Sequence, residues 1–237
     1  LTIRDDKVDE VSREDQEFMI LESRFLEKPA FAVEQGRNAA KHMEQDSRKI
    51  LDIALGLIYS YSDEQAERVQ KLESKIDRYE DELGTYLVKL NNKDLSERDS
   101  HSVSIMLHCI GDFERISDHA VNIMESAQEL HEKNISFSPQ ARNELQVLVA
   151  VVSRIVDTAY QVFDRQDLNL VSDVEPLEEI VDELSKELKR RHVNRLRLGE
   201  CTIEMGFILT DLITSLERIA DHCSNISVCV TQVRENL

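Results

Sequence analysis

The sequence predicts an all-α fold, a tandem repeat of two antiparallel three-helix bundles. Three observations predict it. Only three prolines and six glycines occur in 237 residues, too few turn formers for an all-β fold. The apolar residues recur at helical spacing, as at Val69, Leu72, Ile76, Leu83, Leu87 and Leu90. Finally, the decapeptide Glu-Arg-Ile-Ser-Asp-His-Ala-Val-Asn-Ile at 114–123 returns 103 positions later, at 217–226, with seven of ten residues identical and no gap.

The elements follow in order. Residues 1–28 form a charged lead-in or linker, with no strong apolar period up to about residue 22. The first unit spans 29–134. Pro29 suits the first turn of a helix, where its missing N–H costs nothing, and that helix is expected to reach about Tyr61. Ser62-Asp63-Glu64-Gln65 reads as a capping box opening the second helix, which Asn91-Asn92-Lys93 breaks. A third helix starts near Ser96 and runs to about Glu132, with Val103, Met106, Ile110, Phe113, Val121 and Met124 on one broad arc. The second unit spans 135–237 and repeats the plan. Ser138-Pro139 caps its first helix. Ser172-Asp173-Val174-Glu175 reads as a capping box for the next, which ends in the basic cluster Lys186, Lys189, Arg190, Arg191, Arg195 and Arg197. Cations suit a helix C-terminus, so a charged helix end explains the cluster more simply than a docking patch. Gly199 closes that segment, and a last helix runs from about Thr202.

Charge narrows the partners. With 29 basic and 47 acidic side chains the formal net charge is −18 and the pI near 4.8, which excludes double-stranded nucleic acid as a favoured partner. It equally disfavours lying flat on an anionic membrane. The most apolar run, Val147–Val152, is far below the roughly 20 residues of a spanning helix, so no span is expected. No signal peptide is recognisable, and Leu1 in place of an initiator Met fits a piece of a longer protein or a processed chain. Cys109, Cys201, Cys223 and Cys229 form no C-x-x-C pair and are expected to pack as small apolar groups.

The candidate chemistry lies in four Glu-x-x-x-Asp pairs: Glu73/Asp77, Glu114/Asp118, Glu178/Asp182 and Glu217/Asp221. A spacing of four puts both carboxylates on one helix face, where they repel unless neutralised. The middle-helix pairs lie 105 positions apart. A middle-helix pair facing a last-helix pair makes a four-carboxylate site, and the repeat predicts two of them. Carboxylates are hard ligands suited to Mg²⁺, Ca²⁺, Mn²⁺ or oxo-bridged iron. Asn122 and Asn225 continue the stripe, and Arg115 and Arg218 can orient the ligands. The simpler explanation of any single pair is a solvated acidic face. It weakens for 114/118 and 217/221, because packing does not account for retaining Glu, Arg, Asp, His and Asn in both copies. His119 and His222 point about 100° from the neighbouring Asp and read as hydrogen-bonded histidines rather than ligands.

At these residues the sequence resembles the PhoU family of bacterial phosphate-signalling proteins, whose helix signature Glu-Arg-x-x-Asp-x-x-x-Asn matches Glu114, Arg115, Asp118, Asn122 and again Glu217, Arg218, Asp221, Asn225. Ser117 and Ala220 stand where that family often has Gly. Leu21–Ala30 resembles the segment joining the membrane region of sodium/phosphate cotransporters to a C-terminal PhoU-like domain. The resemblance implies a non-enzymatic regulatory role in phosphate uptake on the cytoplasmic side of the inner membrane. It implies metal at the carboxylate motifs, iron first, with Mn, Mg or Zn as alternatives. It names as partner the membrane domain of a parent transporter or a phosphate-transport or signalling protein, and it permits a homodimer. A stand-alone signalling protein, a metal-free helical adaptor and a carboxylate-bridged di-metal enzyme are the competing readings. The last lacks the Glu-x-x-His pairs of ferritin-like oxidases.

Overall fold

The computed structural model describes residues 16–235. Six long helices carry the fold: α1 (Pro29–Leu57), α2 (Asp63–Asn91), α3 (Glu97–Glu132), α4 (Pro139–Arg165), α5 (Val174–Arg197) and α6 (Ile203–Glu235). No strand occurs among the described residues. Helices α1, α2 and α3 pack mutually as one bundle, and α4, α5 and α6 as the other.

Serines start three of these six helices by satisfying a free N–H of the first turn. Ser62 accepts from the Gln65 amide, Ser96 from Asp99 and Ser138 from Ala141. Two expectations shift. Helix α1 ends at Leu57 rather than near Tyr61, because the Tyr59 and Ser60 amides fold back onto the Gly56 carbonyl, a poor helix former placed at the end. The expected capping box at 172–175 does not form. Ser172 Oγ instead donates to the Asn169 carbonyl, closing a single helical turn, Leu168–Val171, that Asp167 caps. Gly199 ends α5 at φ +73°, a left-handed conformation that favours glycine.

One apolar core runs through both bundles. Ile50, Ile76, Leu83, Leu87 and Phe113 are fully buried in the first, and Leu145, Leu148, Val152, Leu212 and Leu216 in the second. Each such side chain contributes about 1.5–3 kcal/mol of transfer free energy. Residues 16–28 belong to this packing. Phe18, Leu21 and Leu26 are buried against α1 and α2, Phe18 lies 4.5 Å from the Tyr79 ring, and Glu17 accepts from Tyr79 Oη. The remainder of the expected lead-in, 1–15, lies outside the described residues.

The bundles join chiefly through α3 against α6, with a smaller contact of α1 on α4. The two seam helices run antiparallel: Lys133 at the end of α3 pairs with Glu204 at the start of α6 at 2.6 Å. The repeated decapeptides therefore meet across a local pseudo-two-fold. Helix α4 qualifies the sequence reading of membrane spans. By length and composition it is apolar enough to cross a bilayer, yet Leu145, Leu148, Val152, Ile155, Val156 and Ala159 are buried among α5, α6 and α1. The four cysteines are free thiols, with Cys109 and Cys223 buried and Cys201 and Cys229 half-buried.

Candidate metal centre

The first bundle brings its carboxylates together. Glu73 and Asp77 stand one turn apart on α2 and face Asp118 on α3, and one oxygen of each lies within 4.8 Å of the others. Among the described residues this trio is the one His, Cys, Asp or Glu group so converged. Glu114 is half-buried one turn from Asp118, and burial, then the Asp118 charge, push its carboxyl up to about 7. Burial and the facing carboxylates likewise raise Glu73 and Asp77. Arg115 answers part of this charge, donating to Asp118 at 3.2 Å and lying 3.4 Å from Glu114. Asp77 has no cationic partner among the described residues. The cluster is thus an under-compensated set of oxygen donors, and the residues fit a hard cation. Once bound, such an ion supplies the positive charge that this set lacks.

The second bundle places the same residue types differently. Glu178 and Asp182 on α5 face Glu217 and Asp221 on α6, and burial with Asp182 and Asp221 raises the Glu178 carboxyl. Two ammonium groups enter from α5: Lys186 donates to Asp182 at 3.0 Å and Lys189 to Glu217 at 2.7 Å. Arg218 donates to Asp221 at 3.1 Å. An open cleft of about 470 Å³ remains beside Glu178, Arg218 and Asp221. The lysines were read in the sequence only as parts of a charged helix end. Extending the 105-residue alignment finds them: Lys186 occupies the position of Asp81, and Lys189 that of Gly84. Three more of the basic cluster are also paired, Arg190 and Arg191 on Glu187 and Arg195 on Glu144.

The asparagines and histidines divide unevenly. Asn122 is exposed and makes no side-chain hydrogen bond among the described residues, while Asn225 Nδ2 turns to Asp112 Oδ1 at 3.3 Å, toward the seam rather than its own carboxylates. Histidine 222 also bonds Asp112, through Nδ1 at 2.9 Å. His119 stacks obliquely on His222, centroids 5.7 Å apart, but its buried Nδ1 has no partner. Burial and the neighbouring His222 hold the His119 pKa below its ordinary value. Asp112 went unnoticed in the sequence because its counterpart is Ser215, just outside the repeated decapeptide.

Known proteins share this fold. The sequence profile of the PhoU domain matches residues 40–127 and 145–230, one decapeptide in each segment. The chain is 30% identical over 115 residues to a phosphate-specific transport system accessory protein PhoU homolog of Thermotoga maritima, a match spanning 48% of this chain and 49% of that relative. A PhoU homolog of Deinococcus radiodurans is 22% identical over 80% of this chain and 88% of its own length. The crystal structure of PhoU from Pseudomonas aeruginosa superposes with a TM-score of 0.80 at 23% identity, covering 87% of this chain and 98% of that one. The phosphate transport system regulatory protein PhoU from Streptococcus pneumoniae does so with a TM-score of 0.78 at 16% identity, over 89% and 98%. These structures share the all-helical fold, and with the profile matched in both halves the chain belongs to the PhoU domain family.

Proposed function

We propose that this protein regulates phosphate transport and does so with metal held by the first bundle. The observation that carries the regulatory reading is the PhoU-domain match in both halves, each around one carboxylate decapeptide. The curated relatives are named as accessory proteins of phosphate-specific transport, so the partner is a phosphate-transport protein. The stand-alone form of the reading is favoured over a transporter tail. The tail rested on Leu21–Ala30, and the burial of Leu21 and Leu26 against the first bundle gives that segment a packing role that needs no membrane domain.

Glu73, Asp77, Glu114 and Asp118 hold the metal in this proposal, with Arg115 orienting Asp118. An all-oxygen set favours iron, Mn²⁺ or Mg²⁺ over Zn²⁺, which prefers nitrogen and sulfur. The ion neutralises the mutual repulsion of the four carboxylates and ties α2 to α3. Glu178, Asp182, Glu217 and Asp221 bind weakly or not at all, because Lys186 and Lys189 already neutralise them.

Two measurements test the two parts separately. Phosphate uptake is followed in cells lacking this protein, and in the same cells supplied with it or with its Asp118→Asn variant. Altered uptake on loss, restored by the wild type, supports regulation; unchanged uptake refutes it. Elemental analysis of protein purified without chelator tests the metal. Bound metal that disappears in Asp118→Asn supports the centre, and none after loading with Fe²⁺, Mn²⁺ or Mg²⁺ refutes it.

A further inference from the structure

The α1–α2 turn, the end of α3 and the start of α4 line a half-open cavity of about 210 Å³ that shares no residue with either carboxylate cluster. Tyr59, Tyr61, His131, Phe137 and Arg142 form much of its wall, with Leu130 behind them. Tyr61 stacks on His131, centroids 4.7 Å apart and planes 23° from parallel. The Arg142 guanidinium lies 5.2 Å from the centre of the Tyr59 ring. It donates to the Tyr59 carbonyl at 3.5 Å and makes no ion pair among the described residues. Tyr59 Oη is buried with no hydrogen-bond partner, a state that native proteins seldom leave unexplained. The counterpart connection of the second bundle, residues 166–173, contains no aromatic residue, so the first half alone carries this feature.

Size and charge limit the ligand. Benzene fits a cavity of about 150 Å³, and drug-sized ligands occupy pockets of about 300 Å³ or more. The space here, about 210 Å³, lies between them and holds one ring with a small substituent. Aromatic walls favour a flat ring. An arginine without a carboxylate, in a chain of net charge −18, favours an anionic substituent. The Tyr59 hydroxyl is buried behind that wall without a partner and becomes a donor to a ligand only if the ring turns.

We propose that this cavity binds a free single-ring aromatic carboxylate, its ring against Tyr59 and Tyr61 and its carboxylate on Arg142. The site does not depend on the metal centre, so Asp118→Asn leaves it intact.

Titration of the full chain with benzoate and 4-hydroxybenzoate, followed by NMR of the tyrosine ring signals, tests it. Saturable shifts of Tyr59 and Tyr61 at millimolar ligand or below are expected. Arg142→Gln should weaken binding by about tenfold through loss of the charge-assisted bond. Tyr59→Phe should weaken it less, and neutral benzyl alcohol should bind worse than benzoate. No shift at millimolar ligand overturns the proposal. Equal affinity in Arg142→Gln, with the variant's helical circular dichroism unchanged, also overturns it. So does binding by an Asp-Phe peptide in the absence of binding by either free acid, which assigns the cavity to a protein partner.

Discussion

The two bundles share a plan and differ in how they treat their acidic faces. In the first, Glu73, Asp77 and Asp118 converge with Asp81 nearby on α2, and Arg115 is the cation that answers them. In the second, Lys186 and Lys189 stand at the positions of Asp81 and Gly84 and bond Asp182 and Glu217. Two substitutions on one helix thus separate an open set of donors from a self-neutralised one. An internal lysine does what a bound cation would do, without needing the ion. The first acidic face is left short of positive charge, and the second draws it from its own helix.

Breaking the first site should produce the largest effect. Asp118→Asn keeps the side-chain shape and removes a donor, so metal affinity should fall by more than the about 10–100-fold typical of losing a supporting contact. Asp221→Asn should change metal content little. The converse test joins Lys186→Asp to Lys189→Gly, which should add metal to the second bundle. Elemental analysis reads both. Equal losses from Asp118→Asn and Asp221→Asn would show that the lysines do not distinguish the halves.

This difference marks the limit of what the sequence discloses. Helix periods, serine caps and the 103-residue repeat are local signals, and they sufficed for the bundle order and for pairing α2 with α3. The approach of Glu73 and Asp77 to Asp118 follows from the same signals, since a spacing of four fixes a common face on each helix. Occupancy of the second face does not. Lys186 and Lys189 sit in a basic run whose helix-end explanation is sufficient on its own, and only their distances to Asp182 and Glu217 separate it from charge neutralisation. The packing of residues 16–28 was obscured for another reason. Phe18, Leu21 and Leu26 have no helical period because Leu21 and Leu26 cover the bundle from two short 3₁₀ turns and Phe18 lies just ahead of the first.

That cover belongs to the first half and gives the next largest effect. Phe18 is 5% exposed, packs on Tyr79 and lies under the Arg78 guanidinium at 4.0 Å; the position matching Tyr79 in the second bundle is Leu184. Phe18→Ala should cost about 3 kcal/mol of stability. Amide exchange in α2 should accelerate while α5 is unchanged. Uniform acceleration would mean that the bundles unfold as one unit.

The α1–α4 contact sharpens the question of that coupling. Glu44 is 9% exposed, faced by Lys41 and Arg48 on α1 and by Asp157, Tyr160, Asp164 and Arg165 on α4. Burial, then the Asp164 charge, push its carboxyl from 4.5 up to about 7. The folded state therefore binds this proton more tightly than the unfolded chain. The stabilisation is complete below about pH 4.5 and is lost as pH rises through about 7. It amounts to about 3 kcal/mol. Glu44→Gln should remove this slope and raise the denaturant midpoint at pH 8. A slope that persists would exclude Glu44 as its source.

The seam between α3 and α6 holds the smallest and most local asymmetry. His222 bonds Asp112, whereas buried Ser215 stands at the position matching Asp112 and His119 Nδ1 is unpaired. A buried ring nitrogen without a partner forfeits about 1–3 kcal/mol relative to a satisfied one. Asp112→Ser makes the two sides alike by removing the acceptor of His222 and of Asn225, and should cost about 1–2 kcal/mol. Ser215→Asp makes them alike in the other sense. It should recover less than Asp112→Ser loses, since Ser215 is 6% exposed and a carboxylate there loses more hydration than the Asp112 carboxylate, whose side chain is 16% exposed. Chemical denaturation of both variants and their combination measures the balance. If Asp112→Ser costs nothing, the His222–Asp112 bond does not hold the bundles together, and the apolar contacts along α3 and α6, with the Lys133–Glu204 pair at their end, carry the joint.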